Sequence, residues 1–335
     1  MQKLKDASVC PTQRRRASHY LTLYFLLFTF YLTTACAAFG DTCPANCAHL
    51  NLTNKNFAGA NLARAQFMEA NLRQARFANA DLSGADFSGA KLIQADLRNT
   101  NLQNARLIGA DLTQANLGEA NLEYANLGSA NLKSANLVRA DLRGIQATYL
   151  DLTDAQLNGA NLSGMDLAAC VFQGTKLSTA NLSGSNLAGS SLSRADLSGA
   201  LLIRATFAGA WLNLANLTSA NGHNAVMNGA SLYGANLAGA DLSATQLRGA
   251  MLVGAQLNGA DLRDADLRGA VLNYDPANFN LGDAVQDPVV MELNQAARQS
   301  LNRNADLRGA RYNRATQWPQ GYRVPNEATL VEDTP

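Results

Sequence analysis

ANLAR (residues 60–64), AQFME (65–69) and ANLRQ (70–74) are three consecutive copies of one five-residue pattern. In each copy a small residue is followed by a polar residue, then by Leu or Phe, and then by two variable positions. The centre of the pattern recurs at every fifth residue from Leu52 to Leu272, which makes 45 repeats with no insertion or deletion, and all but three of these centres are Leu or Phe. We number positions from this centre, so that −2 is the small residue and −1 is most often Asn or Asp.

A period of five residues matches neither the 3.6-residue period of a helix nor the two-residue period of a strand. Fixed-period self-similarity of this kind indicates a solenoid, in which stacked units bury one apolar side of each repeat. Asn or Asp at −1 and the frequent Gly at +2 favour a turn in every repeat. A disordered low-complexity tract is the alternative, but such a tract would lack regularly spaced large apolar residues.

The tract resembles the pentapeptide repeat family over roughly two thirds of the chain. This resemblance implies an all-β fold, a right-handed quadrilateral β-helix over residues 50–274 with four repeats per coil and the Leu, Phe and Ala residues inside. The repeats would then form about eleven coils and, at about 4.8 Å per coil, a rod roughly 50 Å long. Residues 20 apart would stack on one face, with Phe57 over Phe77 and Phe67 over Phe87.

Two stretches depart from the pattern. At 145–150, Ile145 and Leu150 occupy the small position on either side of Ala147, which indicates an exchange of large and small residues that conserves volume. At 221–227 the usual centre is lost twice in succession, at Gly222 and Met227. We expect a bulge or kink there.

The charge balance excludes a strongly basic or strongly acidic protein. The chain has 27 Lys and Arg residues against 26 Asp and Glu residues, a formal charge of +1. Five of the basic residues and one acidic residue precede residue 38, so the remainder carries 22 basic and 25 acidic residues, a net charge of −3. This balance, with both signs interspersed, argues against a nucleic-acid-binding surface and equally against an acidic DNA mimic.

The N-terminus has the layout of a secretory signal peptide over residues 1–37. A basic segment is followed by an apolar run at 20–38, and Ala35 and Ala37 place the cleavage site before Ala38. The sequence therefore predicts an exported protein of the periplasm, or of the thylakoid lumen if the source is cyanobacterial. Two alternatives stay open: a signal anchor that holds residues 20–38 in the membrane, and a lipoprotein signal cut before Cys36.

Residues 38–49 are predicted to form an N-terminal cap that carries a cysteine pair. Outside the cytoplasm, Cys43 and Cys47 favour a small disulfide at the open end of the solenoid, with free thiols as the alternative. The family resemblance loosely supports the disulfide. A metal site is disfavoured, because His49 is the one nearby third ligand and zinc sites use four. Cys170 falls on a small inward position and is expected to be an inert core thiol.

The repeat phase is lost after Tyr274, and residues 275–325 are predicted to form a C-terminal cap. Asp287 and Pro288 have the residue types of a helix N-cap and first position. Apolar residues at helical spacing then predict an amphipathic helix over about 288–302. Two degenerate repeats follow at 305–314, and a segment around Trp318 resembles the C-terminal ends of many family members. We expect residues 326–335 to be frayed.

The sequence does not predict an enzyme, a cofactor or a metal site. After the signal segment there are two histidines, His49 and His223, about 170 residues apart. His223 is more simply a solvated residue at the expected bulge than a general base. Asp241 and Asp261 would stack on one face like a glycosidase pair, but Asp is an ordinary turn residue in this pattern. Phosphate-binding, zinc and nucleophile motifs do not occur in the sequence.

One face of the C-terminal half carries outward apolar residues, and we call this set the apolar stripe. These residues lie on the face whose repeat centres run from 172 to 272. The set has eight members: Val171, Trp211, Leu214, Tyr233, Met251, Val253, Val271 and Tyr274. A stripe of this kind exceeds the scattered apolar exposure of a monomer. Either the 288–302 helix or Trp318 covers it, or it is a dimer or partner interface with Trp211 and Tyr233 as anchors.

Two functions fit these observations. The first is an exported, non-catalytic scaffold that contacts another protein or a second copy of itself. The second is the DNA-mimicking, topoisomerase-binding class that the family resemblance brings with it. The signal segment and the weak net charge favour the first, because a topoisomerase is cytoplasmic and a mimic of DNA must be strongly acidic.

Overall fold

Four repeats make one coil of a parallel β-helix. The computed structural model describes residues 46–275, 287–293, 295, 299 and 301–331. Repeats pair through single parallel β-bridges at position −1 with the residue 20 places later, as in Asn51 with Asn71. Backbone hydrogen bonds link the coils, for example from Leu72 N to Lys91 O at 2.9 Å. The predicted all-β, right-handed quadrilateral β-helix is confirmed.

A tight turn closes each repeat and explains why five residues suffice for one side of a coil. The Asp81 carboxylate accepts a hydrogen bond from Ser83 N at 3.0 Å, which is the local bond that Asx residues make in turns. The carbonyl of Leu62 accepts from Ala65 N at 3.0 Å. Position +2 has a positive φ in every repeat from His49 to Gly269, so Gly, which adopts this conformation without strain, is frequent there.

Leu, Phe and Ala fill the narrow core as stacked ladders. Leu122 and Leu182 are both 0% exposed, as the inward orientation of the centres requires. The Phe57 and Phe77 rings stack with centroids 4.9 Å apart, and so do those of Phe67 and Phe87. The two stacks meet edge to face, which builds one aromatic cluster in the N-terminal coils.

The bulge expected at 221–227 is absent, and that prediction is wrong. Gly222 N and Met227 N make the normal bonds to the next coil, to Asp241 O and Gln246 O, each at 2.7 Å. A Cβ atom on Gly222 would lie 3.4 Å from Leu242 Cδ2 and 3.9 Å from Met227 Cε. These two side chains border the space that a Leu centre would fill, so the coil needs no distortion.

The rod does not end near residue 274, because the degenerate repeats resume it after an insertion. Asp306 pairs with Gln256 and Arg311 with Asp261, so partners that are normally 20 residues apart are 50 apart here. Ala305 N donates to Leu272 O at 2.7 Å, which joins the two ends of the insertion. The last coil therefore consists of residues on both sides of a 30-residue insertion.

Helix α1 spans Pro288–Met291 and lies within this insertion. It begins at the position expected from the sequence, with Asp287 as N-cap, but it ends at Met291, with Glu292 as C-cap, rather than continuing unbroken to about 302. The chain bends at 292–293, and residues 295, 299 and 301 are again helical. Val289 and Val290 are buried, so the first turn already supplies the apolar contact that the periodicity predicts.

The tail adds a final parallel pairing to the end of the rod. Strand β1 (Arg311–Tyr312) pairs with strand β2 (Thr329–Leu330), and Val331 N donates to Tyr312 O at 2.8 Å. The expectation that the chain frays from 326 is therefore wrong for residues 327–331. The tail hydrogen-bonds to the exposed edge of the last coil, and such an edge is otherwise a site for unwanted pairing.

Several N-terminal predictions lie outside the described residues. They concern the signal peptide at 1–37, the apolar run at 20–38 and Cys43, so the Cys43–Cys47 disulfide stays a prediction. Cys47 itself is buried in the first coil, where its N–H donates to Gln66 O at 2.7 Å. Within the described part of the chain, no helix has the length and apolar character needed to cross a membrane.

Candidate functional site

The chain's own insertion covers the central part of the apolar stripe. We call the described residues of this insertion that lie on the rod, 287–293 and 301–304, the strap. Val290 packs against Tyr233 and Val253, and all three are 0% exposed. Four partly buried residues complete this cluster: Met251, Tyr274, Leu293 and Leu301. The centre of the stripe is therefore an internal contact.

A buried carboxylate fixes the start of the strap. Asp287 is 1% exposed, and its side chain accepts hydrogen bonds from Ser193 Oγ, from Asn213 Nδ2 at 2.8 Å and from Val289 N at 2.9 Å. Asn213 Oδ1 in turn accepts from Tyr233 N at 3.0 Å. A buried carboxylate without hydrogen bonds would cost several kcal/mol, on the order of the desolvation penalty of an ion. Here three donors satisfy it.

The end of the strap is held by a close approach of two backbones. Gly254 N donates to Arg303 O at 2.7 Å, and a Cβ atom on Gly254 would lie only 2.3 Å from Leu301 O. A larger residue at this position would push the strap away. The Tyr233 hydroxyl donates to Asn302 Oδ1 at 2.7 Å, so the end of the strap contacts the coils that follow those holding Asp287 at its start.

The two ends of the apolar stripe remain accessible. Trp211 is 37% exposed and Val271 is 38% exposed, whereas Val171 and Leu214 are half-buried. Of the two predicted anchors, Tyr233 is therefore buried beneath the strap and Trp211 is available. Trp318 lies elsewhere, at the end of the rod, where its ring stacks on Tyr322 with centroids 5.5 Å apart.

His223 and the nearby Asp241 do not form a catalytic triad with Ser243. His223 Nδ1 lies 2.8 Å from Ser243 Oγ, which donates to Asp241 Oδ1 at 2.5 Å. A nucleophilic triad needs the histidine between the serine and the acid, whereas here the serine lies between the other two. Across the described ranges, no three His, Cys, Asp or Glu side chains converge so as to hold a metal ion.

The carboxylate of Asp261, which the sequence pairs with Asp241, belongs to a recurring ion pair. In the Asp-Leu-Arg repeats the Arg side chain at +1 forms an ion pair with the Asp carboxylate at −1. Arg263 Nη2, for example, lies 2.6 Å from Asp261 Oδ2. The same pair recurs at Asp96–Arg98, Asp141–Arg143, Asp266–Arg268 and Asp306–Arg308. These carboxylates are engaged in local pairing, which explains why Asp and Arg alternate on the surface.

Asp266 is the most strongly perturbed of these acids. The Arg268 guanidinium hydrogen-bonds its carboxylate at 2.8 and 2.9 Å, and Arg248 adds a further contact. These bonds outweigh partial burial, which acts in the opposite direction, and hold the pKa of Asp266 well below its usual value.

Asp266→Asn is expected to lower the free energy of unfolding by about 1 kcal/mol at pH 7, because the guanidinium groups are largely solvated. A depressed folded-state pKa stabilises the fold above the unfolded-state pKa, about 3.9, and this contribution is lost as pH falls through the folded-state value. The difference between the wild type and the variant should therefore shrink below about pH 4 in urea unfolding curves. Asp154→Asn, at an exposed acid, is the control; an undiminished difference at low pH would contradict the assignment.

Comparison with known proteins agrees with this architecture. The family model described as pentapeptide repeats matches residues 45–164 and 166–269 in overlapping segments. A comparison with functionally characterised protein sequences gave no significant match.

Three solved structures illustrate the similarity. HetL, a pentapeptide repeat protein involved in heterocyst differentiation regulation from the cyanobacterium Nostoc, is 30% identical; the match covers 79% of this chain and 91% of HetL, with a TM-score of 0.20. A pentapeptide repeat protein from the Arabidopsis thaliana thylakoid lumen is 33% identical over 36% of this chain and 76% of its own, with a TM-score of 0.14. QnrB1, a plasmid-mediated fluoroquinolone resistance protein, is 22% identical over 57% and 88%, with a TM-score of 0.41. Because the family model matches well over half of the chain, the protein belongs to the pentapeptide repeat family.

Proposed function

We propose that this protein is an exported, non-catalytic scaffold that binds another protein or a second copy of itself. The observation that carries the proposal is the composition of the rod, whose inward residues form an apolar core and whose outward polar residues pair along the coils. Gln94, for example, accepts from Gln74 and donates to Gln114 across three coils, at 3.0 and 2.9 Å. Side chains engaged in this way are suited to holding a shape rather than to moving protons.

The accessible ends of the apolar stripe are the proposed contact. Trp211 and Val271 are apolar residues that stay exposed beside the strap, and a partly exposed Trp is a frequent anchor of protein interfaces. Cell fractionation followed by a pull-down from the native compartment tests the idea. Replacing Trp211 and Val271 by Ser should reduce recovery of the partner at least tenfold. Ile108→Ser, at a residue that is also 37% exposed, should leave recovery unchanged.

Export is the second element of the proposal, and it rests on the basic, apolar and small-residue order of residues 1–37. N-terminal sequencing of the native protein should begin at Ala38. Recovery of a chain that begins at Met1 or Gln2 would contradict cleavage. A full-length chain in the membrane fraction would support the alternative of an anchor at residues 20–38.

The competing function is that of a DNA mimic that binds a type II topoisomerase. Its support is the family resemblance, and the net charge of −3 over residues 38–335 weighs against it. The purified protein should leave DNA supercoiling by a bacterial type II topoisomerase unchanged at micromolar concentration. Inhibition or protection of the enzyme at that concentration would replace the scaffold proposal with the mimic.

A further inference from the structure

The hydrogen bonding between coils is interrupted at one place in the described rod. Elsewhere from Asn46 to Asp266 the β-bridges connect each repeat to the next coil, but the bridge between Gln146 and Asp166 is missing. Four backbone N–H groups do not make the usual hydrogen bond to a carbonyl of the next coil. They belong to Leu142, Gly144, Ala147 and Tyr149. We call this boundary, between residues 141–149 and 161–168, the seam.

Large residues at one corner of the rod explain the seam. Ile145 and Met165 both occupy position −2 and are 20 residues apart, so they belong to the same corner of consecutive coils. The same corner carries Ala125 in the coil before and Ser185 in the coil after. Both large side chains are buried, at 7% and 4% exposure. Two large side chains in a space sized for Ala force the coils apart, because a close-packed core does not absorb extra volume.

The exchange of large and small residues compensates only in part. Ala147 at the centre frees volume next to Ile145 and Leu150, and all three remain buried, as the sequence indicated. The freed volume lies at the centre of one side, however, whereas the added volume of Met165 lies in the next coil. The Cys170 thiol donates to Ala147 O at 2.9 Å across this region, but a single weak sulfur donor does not replace the missing backbone bonds.

We propose that the seam is a built-in hinge that divides the rod into two rigid arms, residues 46–140 on one side and residues 150–275 and 305–317 on the other. Each arm has backbone pairing from coil to coil. The seam has lost the β-bridge on one side, between Gln146 and Asp166, and the normal backbone hydrogen bonds on that side and on the adjacent one, where the bridge between Asp141 and Asn161 remains. Local opening takes place where backbone hydrogen bonds and tight packing are fewest. The seam therefore opens before any other boundary between coils in the interior of the rod. A scaffold with such a hinge can vary the angle between partners held by its two arms.

Hydrogen exchange detected by mass spectrometry tests the hinge. Peptides that cover 141–149 and 161–168 should exchange at least tenfold faster than peptides from 101–109 and 121–128, which occupy the same two sides of intact coils. Equal exchange rates in the wild-type protein would overturn the proposal.

A variant that restores the repeat pattern tests the cause. Ile145→Ala, Ala147→Leu, Leu150→Ala and Met165→Ala together return four positions to their usual residue types, and the seam peptides should then exchange as slowly as the controls. Persistent fast exchange in this folded variant would refute the steric cause. The converse variant Ala125→Ile, Leu127→Ala and Ala130→Leu, combined with Ala147→Leu, Leu150→Ala and Met165→Ala, places the two consecutive large side chains at positions 125 and 145. It should move the fast exchange to the boundary between residues 121–129 and 141–149. Should either variant fail to fold, the wild-type comparison still decides whether the hinge exists.

Spin labels measure bending directly. A pair at the exposed residues Asn79 and Ser219 spans the seam on one face, and a pair at the exposed residues Thr179 and Arg308, five coils apart, lies within one arm. Pulsed electron paramagnetic resonance should give a distance distribution for the first pair at least twice as broad as for the second. Equal widths would mean that the seam does not bend.

Discussion

Phe77→Ala is expected to lower the free energy of unfolding of the N-terminal coils by about 3–5 kcal/mol, the usual cost of deleting a buried aromatic side chain. Phe77 is fully buried. Its ring stacks on Phe57 at 4.9 Å and meets Phe67 and Phe87 edge to face at 5.8 and 6.0 Å. Each such aromatic pair contributes about 0.5–1.5 kcal/mol beyond the area it buries, so the loss should fall at the upper end.

The matched control is Phe77→Leu, because Leu is the usual centre and retains most of the volume. It should cost about 1.5–3 kcal/mol, less than the alanine variant, because it keeps most of the buried volume and loses the aromatic pairs. Neighbouring coils stabilise each other in a solenoid, so unfolding can be partial and the loss should be local. Hydrogen exchange should accelerate in peptides from 55–100 and stay unchanged in peptides from 200–250. Uniform acceleration along the whole rod, or equal effects of Ala and Leu, would contradict this account.

The fold could be predicted from the sequence because one short rule applies to almost every repeat. A centre every five residues determines the coil, and the 20-residue stacking of Phe57 on Phe77 follows from four repeats per coil. Gly222 shows the limit of the same rule, because the bulge predicted there does not form. The side chains of Leu242 in the next coil and Met227 in the next repeat border the volume that a Leu centre would occupy. The repeat pattern does not predict the rotamers of these neighbours.

The candidate site was less predictable, since it depends on contacts between segments far apart in the chain. The sequence identified the apolar stripe but did not determine whether the C-terminal segment or a partner covers it. Ser193 and Asn213 carry no signal of their own, because Ser and Asn are ordinary outward residues of the repeat. Their role arises from Asp287, which is 94 and 74 residues away. The capping residue Asp287 suggests that a polar residue beside the stripe binds its carboxylate. The periodicity does not indicate which of the outward polar residues does so.

Asp287→Ala is expected to release the strap while leaving the rod folded. The substitution removes the N-cap of α1, a loss of about 0.5–2 kcal/mol, and leaves Ser193 Oγ and Asn213 Nδ2 without their buried acceptor, a further cost of about 1–3 kcal/mol. Together these losses amount to about 1.5–5 kcal/mol. This is comparable to what the burial of Val289 and Val290 contributes, at about 1.5–3 kcal/mol for a fully buried side chain.

Limited proteolysis with trypsin measures the release at Arg303. The carbonyl of this residue accepts from Gly254 N, so cleavage after Arg303 requires the strap to leave the rod. Cleavage should accelerate at least tenfold in Asp287→Ala, and in Val290→Ser through loss of the contact with Tyr233 and Val253. Glu292→Ala, at an exposed residue of the same segment, should not change it. Circular dichroism should stay that of the β-helix in all three variants. If Asp287→Ala is cleaved no faster than Glu292→Ala, the buried carboxylate does not hold the strap. If the β-helix signal is lost, the strap is part of the core of the rod and the stripe beneath it cannot be uncovered.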